Sequence, residues 1–139
     1  MTDQTRRAPS RAVTAAAGLI VAAEALGLAA LACWELIALL SGDTDSAISS
    51  IALLVLTGVG AVIVLAFAAG ILRGRSWARS GGIVTQLLIL AVAIGAATGQ
   101  YAHPLIGLAL AAPAVVGLVL LVLASRAAGR SARGDSAGG

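Results

Sequence analysis

Residues 47–72 read AISSIALLVLTGVGAVIVLAFAAGIL, and residues 73–82 that follow read RGRSWARSGG. The first stretch carries no charged side chain, and the second carries three arginines in ten positions. A hydrocarbon core about 30 Å thick takes about 20 helical residues to cross. The apolar run is long enough for that and too long for a core strand. A barrel strand would alternate polar and apolar residues, which this run does not do. The pair of segments therefore predicts a transmembrane helix ending on a basic, interfacial loop.

Three further spans appear on either side of this pair. The first runs from about residue 12 to residue 40, is longer than a bilayer requires, and predicts tilt or extension into the interface. The third covers about 83–99 and the fourth about 105–124. Residues 1–11 form a polar tail with Arg6, Arg7, Pro9 and Arg11, and residues 126–139 a Ser- and Gly-rich tail; both are expected to be disordered. The membrane domain is thus 12–125. The signal-peptide alternative for the first span is rejected, because a signal core has only about 7–15 apolar residues.

Every one of the nine basic residues is an arginine, and each lies in the N-tail, the 73–82 loop or the C-tail. The connections 41–46, with Asp43 and Asp45, and 100–104 contain none. With four spans, the three basic segments fall on one side, which the positive-inside rule assigns to the cytoplasm. The expectation is an all-α membrane protein, a four-transmembrane-helix bundle with both termini in the cytoplasm, in the cell membrane. Trp34 and Trp77 fall where interfacial anchors belong. The net charge of +3 is accounted for by topology signals, so no nucleic-acid partner is expected. The partners expected are the lipid bilayer and either further copies of the chain or a larger membrane complex. The single cysteine, Cys33, cannot form an intrachain disulfide, and Ala30-Leu31-Ala32 before it makes a poor lipidation signal.

Polar groups within the spans are the candidate functional residues. Glu24 lies about 11 residues into the first span, or ~16 Å from its inner edge. An ionised carboxylate near the midplane costs about 2.5 kcal/mol or more, so this one should face the bundle, protonated or hydrogen-bonded. Thr57 is expected at similar depth as a donor. Glu35 is three turns further along the same helix face, with Cys33 opposite, and is expected to join Gln100, Tyr101 and His103 in a polar cluster at the outer mouth. Gln86, after Thr85, is expected just inside the cytoplasmic edge as an interhelical hydrogen-bonding group. Gly95 and Gly99 form a GxxxG pair that would permit close helix approach, Ala66 and Gly70 a weaker one, and Pro113 should kink the fourth span. His103 is the only histidine and has no cysteine near it, so no metal site and no cofactor are expected.

The segment Leu72-Arg73-Gly74-Arg75-Ser76-Trp77-Ala78-Arg79-Ser80, with Val84-Thr85-Gln86-Leu87-Leu88 after it, resembles small four-span actinobacterial membrane proteins of unknown function. That resemblance covers the topology and these residues and implies no activity. Four short spans and a first-span Glu within Ala23-Glu24-Ala25-Leu26-Gly27 are also similar to small multidrug transporters. This second resemblance implies a drug- and proton-binding role for Glu24. The chain differs from those transporters in its 3% aromatic content and its strong charge bias. With no soluble domain and no nucleophile–base pair, an enzyme is not expected. Two functions remain: a non-enzymatic, oligomerising or accessory subunit, and a proton-coupled transporter using an intramembrane Glu.

Overall fold

A computed structural model of the chain describes residues 4–100 and 102–137. Among these residues there are four helices and no strand: α1 (Gln4–Ser41), α2 (Ala47–Leu72), α3 (Ser76–Thr98) and α4 (Pro104–Ala137). Each contains a stretch long and apolar enough to cross a membrane. Only 17–22% of each apolar stretch is buried within the bundle. Large side chains such as Leu26, Leu40, Leu56, Val62, Val92 and Leu108 therefore lie on its surface. A soluble monomer rarely exposes an apolar patch above a few hundred Å2. A continuous apolar exterior is stable only in lipid, so this is a multi-pass membrane protein.

The connections are tight, and two of them have the same cause. Gly42 and Gly74 both adopt positive φ, +74° and +73°. After α1, the Gly42 N–H donates to the Leu39 carbonyl at 3.3 Å and that of Asp43 to Ala38 at 3.1 Å. After α2, Gly74 donates to Ile71 and Arg75 to Gly70, both at 2.9 Å. This is the paired-bond glycine stop that satisfies the last carbonyls of a helix, and it suits glycine because no Cβ opposes the left-handed conformation. Ser46 starts α2, its hydroxyl accepting from the Ser49 N–H at 3.5 Å. Pro104 begins α4, where its missing N–H costs nothing.

The boundary of α2 agrees with the span read from the sequence, but the other three helices extend beyond theirs. α1 begins at Gln4 and α4 continues to Ala137, so the stretches 4–11 and 126–137, expected to be disordered, are helical. Gln, Arg and Ala are good helix formers, and extending a formed helix gains a hydrogen bond for each residue fixed. α3 begins at Ser76, so the basic loop expected over 73–82 shrinks to the turn 73–75 and the rest is helix. Pro113 sits inside α4 without ending it.

Helices α1 and α2 form one antiparallel hairpin and α3 and α4 another; α1 also meets α4, and α2 meets α3. The arginine-bearing ends gather at one end of the bundle, and the Asp43–Asp45 connection lies at the other. The core, Ala17, Val21, Ala25, Val64, Ala68, Ile71, Ala78 and Leu121, occupies the arginine half. It is built mainly from small residues, which let helices approach closely where no hydrophobic drive operates between them.

Candidate functional site

Two polar rungs cross between helices inside the bundle. In the arginine half, the Gln86 carboxamide of α3 donates from Nε2 to Glu24 Oε2 of α1 at 2.6 Å. Gln86 is completely buried. It is accommodated by Gly117 of α4, where a Cβ would lie 3.0 Å from the carboxamide carbon. One rung therefore uses three helices: α1 supplies the acid, α3 the amide and α4 the space. Glu24 Oε1 and Gln86 Oε1 are buried and have no hydrogen-bond partner among the described residues.

The second rung lies in the aspartate half and stays within one hairpin. The Thr57 hydroxyl of α2 donates to Glu35 Oε1 of α1 at 3.2 Å, and Glu35 Oε2 is buried with no partner among the described residues. Glu24 and Glu35 both point into the bundle from one face of α1, while Cys33 is exposed on the other.

The structure thus connects four of the predicted polar residues, but in different pairs. Thr57 meets Glu35 and not Glu24, because depths in antiparallel helices count from opposite ends. Both residues lie about ten positions from the start of their spans, but those starts are on opposite sides. Gln86 lies deeper along its helix than expected, because α3 starts seven residues before the expected span at Ile83. The Arg75-Ser76 start of α3, which puts Gln86 ten residues into the helix, is the signal that would have revealed it. The contribution of Gly117 was not anticipated.

The remaining predicted residues do not gather into a site. Gln100 and His103 are exposed, and no hydrogen bond joins either side chain to Glu35 among the described residues. His103 acts through its backbone: its N–H donates to the Ala96 carbonyl at 2.8 Å, and its carbonyl accepts from Ile106 and Gly107 at the start of α4. Tyr101 lies outside the described residues. Gly95 and Gly99 form no close interhelical approach among the described residues. Nothing lies within 4 Å of a Cβ at Gly95, and Gly99 caps α3 by donating to the Gly95 carbonyl at 2.8 Å. Close approach occurs instead at Gly107, where a Cβ would lie 2.7 Å from the Ala93 carbonyl oxygen and 2.7 Å from Ala97 Cβ. Pro113 is exposed on α4. Of the weaker small-residue pair, Ala66 faces outward and Gly70 packs on Ala78. Comparison with protein families, characterised proteins and solved structures finds no match to this chain.

Proposed function

We propose that the chain is a non-enzymatic protein of the cell membrane, with both termini in the cytoplasm, acting as an oligomerising or accessory subunit of a larger membrane assembly. The observation that carries this reading is the use of both intramembrane carboxylates as rungs between helices: Glu24 to Gln86, and Glu35 to Thr57. Such groups supply rigidity and register to a bundle whose core is mostly alanine. The assembly role is supported by the contrast along α1 and α2, which bury no residue after Ala25 and none before Ala61 respectively. Their aspartate halves leave surface exposed on which a second chain or a partner would pack. The test is extraction in mild detergent, affinity capture of the full chain and mass spectrometry of what remains bound. A reproducible partner, or a stable homo-oligomer, supports the reading; a monomer with no co-purifying protein overturns it.

A second reading, proton-coupled transport through Glu24, draws on the two buried oxygens of the first rung that have no partner among the described residues. Glu24→Gln distinguishes the two. An amide at position 24 can still accept from Gln86 Nε2, so a structural rung keeps fold and assembly. The same amide cannot release a proton, so coupled flux of organic cations in proteoliposomes would stop, while Glu24→Asp would keep part of it. Proton-driven flux by the wild type that is lost in the Gln variant would replace the first reading with the second.

A further inference from the structure

The arginine end contains a cleft of about 500 Å3 between the helices. Arg11 and Thr14 enter it from α1, Arg73 and Gly74 from the α2–α3 turn, and Arg79 from α3, while alanines of α4 form the far wall. Three arginines from three separate elements thus line one cavity, and no acidic residue lines it among the described residues. Arg79 is held across the turn by a hydrogen bond from Nη1 to the Gly74 carbonyl at 3.1 Å, which uses only one of its donors. The N-terminus of α3, which lacks a side-chain cap, adds its dipole to the positive potential beside the cleft.

Topology alone does not require this arrangement. Arg75, Arg126 and Arg130 meet the same charge bias from positions outside the cleft. The cleft also has a defined depth. Arg11 opens the apolar stretch of α1, and Leu72, another lining residue, closes that of α2. In a bilayer crossed by these stretches, their ends fall at the headgroup level. Guanidinium forks match phosphate oxygens two at a time, and basic pockets between transmembrane helices suit acidic headgroups.

We propose that this cleft binds a phosphate-bearing anion, within reach of an acidic phospholipid headgroup in the adjacent leaflet or of soluble phosphate. The site needs no protein partner, so it stands apart from the assembly reading. The test uses the purified full chain in neutral detergent and follows thermal unfolding with added cardiolipin, phosphatidylglycerol, phosphatidylcholine or inorganic phosphate. Two variants with equal charge loss are compared: Arg11→Gln/Arg73→Gln in the cleft, and Arg126→Gln/Arg130→Gln outside it. The acidic lipids should raise the unfolding temperature of the wild type and the outer variant well above the phosphatidylcholine value. The cleft variant should bind them at least about tenfold more weakly, since each charge-assisted contact is strong. Inorganic phosphate acting alone in the same residue-dependent way would assign the site to a soluble anion. Equal loss in both variants, or no stabilisation of the wild type by any of the phosphates, overturns the proposal. If the cleft variant is already unstable in phosphatidylcholine, Arg11→Gln alone, whose side chain is exposed at the rim, should show a partial loss; an unchanged response there also overturns it.

Discussion

In the arginine half of the bundle, Ala17 and Val21 of α1, Ala68 and Ile71 of α2, Ala78 of α3 and Leu121 of α4 close on one another, and Glu24 reaches across to Gln86. In the aspartate half, α1 and α2 bury no whole residue, and the buried residues Ala93 and Gly107 belong to the α3–α4 hairpin. Most of the glycines differ in the same way, Gly107 against Ala93 and Ala97 being the exception in the aspartate half. Gly18, Gly70, Gly81, Gly82 and Gly117 face Leu72, Ala78, Phe67, Ile71 with Leu121, and Gln86 respectively, whereas Gly27, Gly58, Gly60 and Gly95 face nothing within 4 Å. Abundant glycine therefore does not mark close packing by itself. It does so where a larger side chain from the next helix fills the space that glycine leaves.

The largest expected effect concerns which end lies on which side of the membrane. In a Cys33→Ser background, an impermeant maleimide should label Asp45→Cys and Ala102→Cys in intact cells and should not label Ser76→Cys until the membrane is opened. The outcome is all or none. Labelling of Ser76→Cys in intact cells would invert the orientation proposed from the arginines.

The closed half should resist added volume and the open half should tolerate it. A Cβ at Gly82 would already lie 3.1 Å from the terminal carbons of Ile71 and Leu121, so Gly82→Leu should cost about 1–3 kcal/mol in detergent unfolding. Gly27→Leu should stay within about 0.5 kcal/mol of the wild type. Similar losses in the two variants would show that the halves do not differ in packing.

The two rungs should differ less than the glycines. Gln86→Leu leaves the Glu24 carboxyl group without its partner in the closed half and should cost about 1–3 kcal/mol. Thr57→Val in the open half should cost about 0.6 kcal/mol, the average for an interhelical hydrogen bond in a membrane protein. Replacing Glu24 and Gln86 together with leucine should recover much of the loss, because no polar group is then left unpaired. A double variant as unstable as Gln86→Leu would show that the rung is not what holds these helices.

Much of this fold was legible from runs of residues, because lipid penalises every charge and every unsatisfied backbone group. The span Ala47–Leu72 is bounded by a serine cap and a glycine stop, and both are visible in the sequence. What was not legible depended on register. Thr57 and Glu35 pair only once the hairpin is closed, and Gln86 reaches Glu24 only because α3 takes in Ser76–Gly82, residues that look like loop by their charge and glycine content. Nor does any linear pattern show that Gly117 of α4 makes room for an amide of α3. The tails were misjudged for a related reason: their polarity excludes them from lipid but does not prevent a helix begun in lipid from continuing into water.

The smallest expected effect separates the fold of one chain from assembly between chains. Gly95 has nothing within 4 Å of its missing Cβ, and its carbonyl is already used to cap α3 through Gly99. Gly95→Leu should therefore leave the unfolding temperature of the monomer essentially unchanged, within about 0.5 kcal/mol. Leucine at that exposed position would nevertheless block the close backbone approach of a second copy through this face. Thermal unfolding reads the first outcome, and analytical ultracentrifugation in density-matched detergent reads the second. A lower mass with unchanged melting would place an oligomer contact on α3, at a small-residue motif that the single chain leaves unused. An unchanged mass, with unchanged melting, would show that this glycine serves neither the fold nor self-association. At a protein concentration where the wild type is monomeric, a lowered melting temperature is the one result that neither arrangement allows, because it would require Gly95 to touch another helix of its own chain.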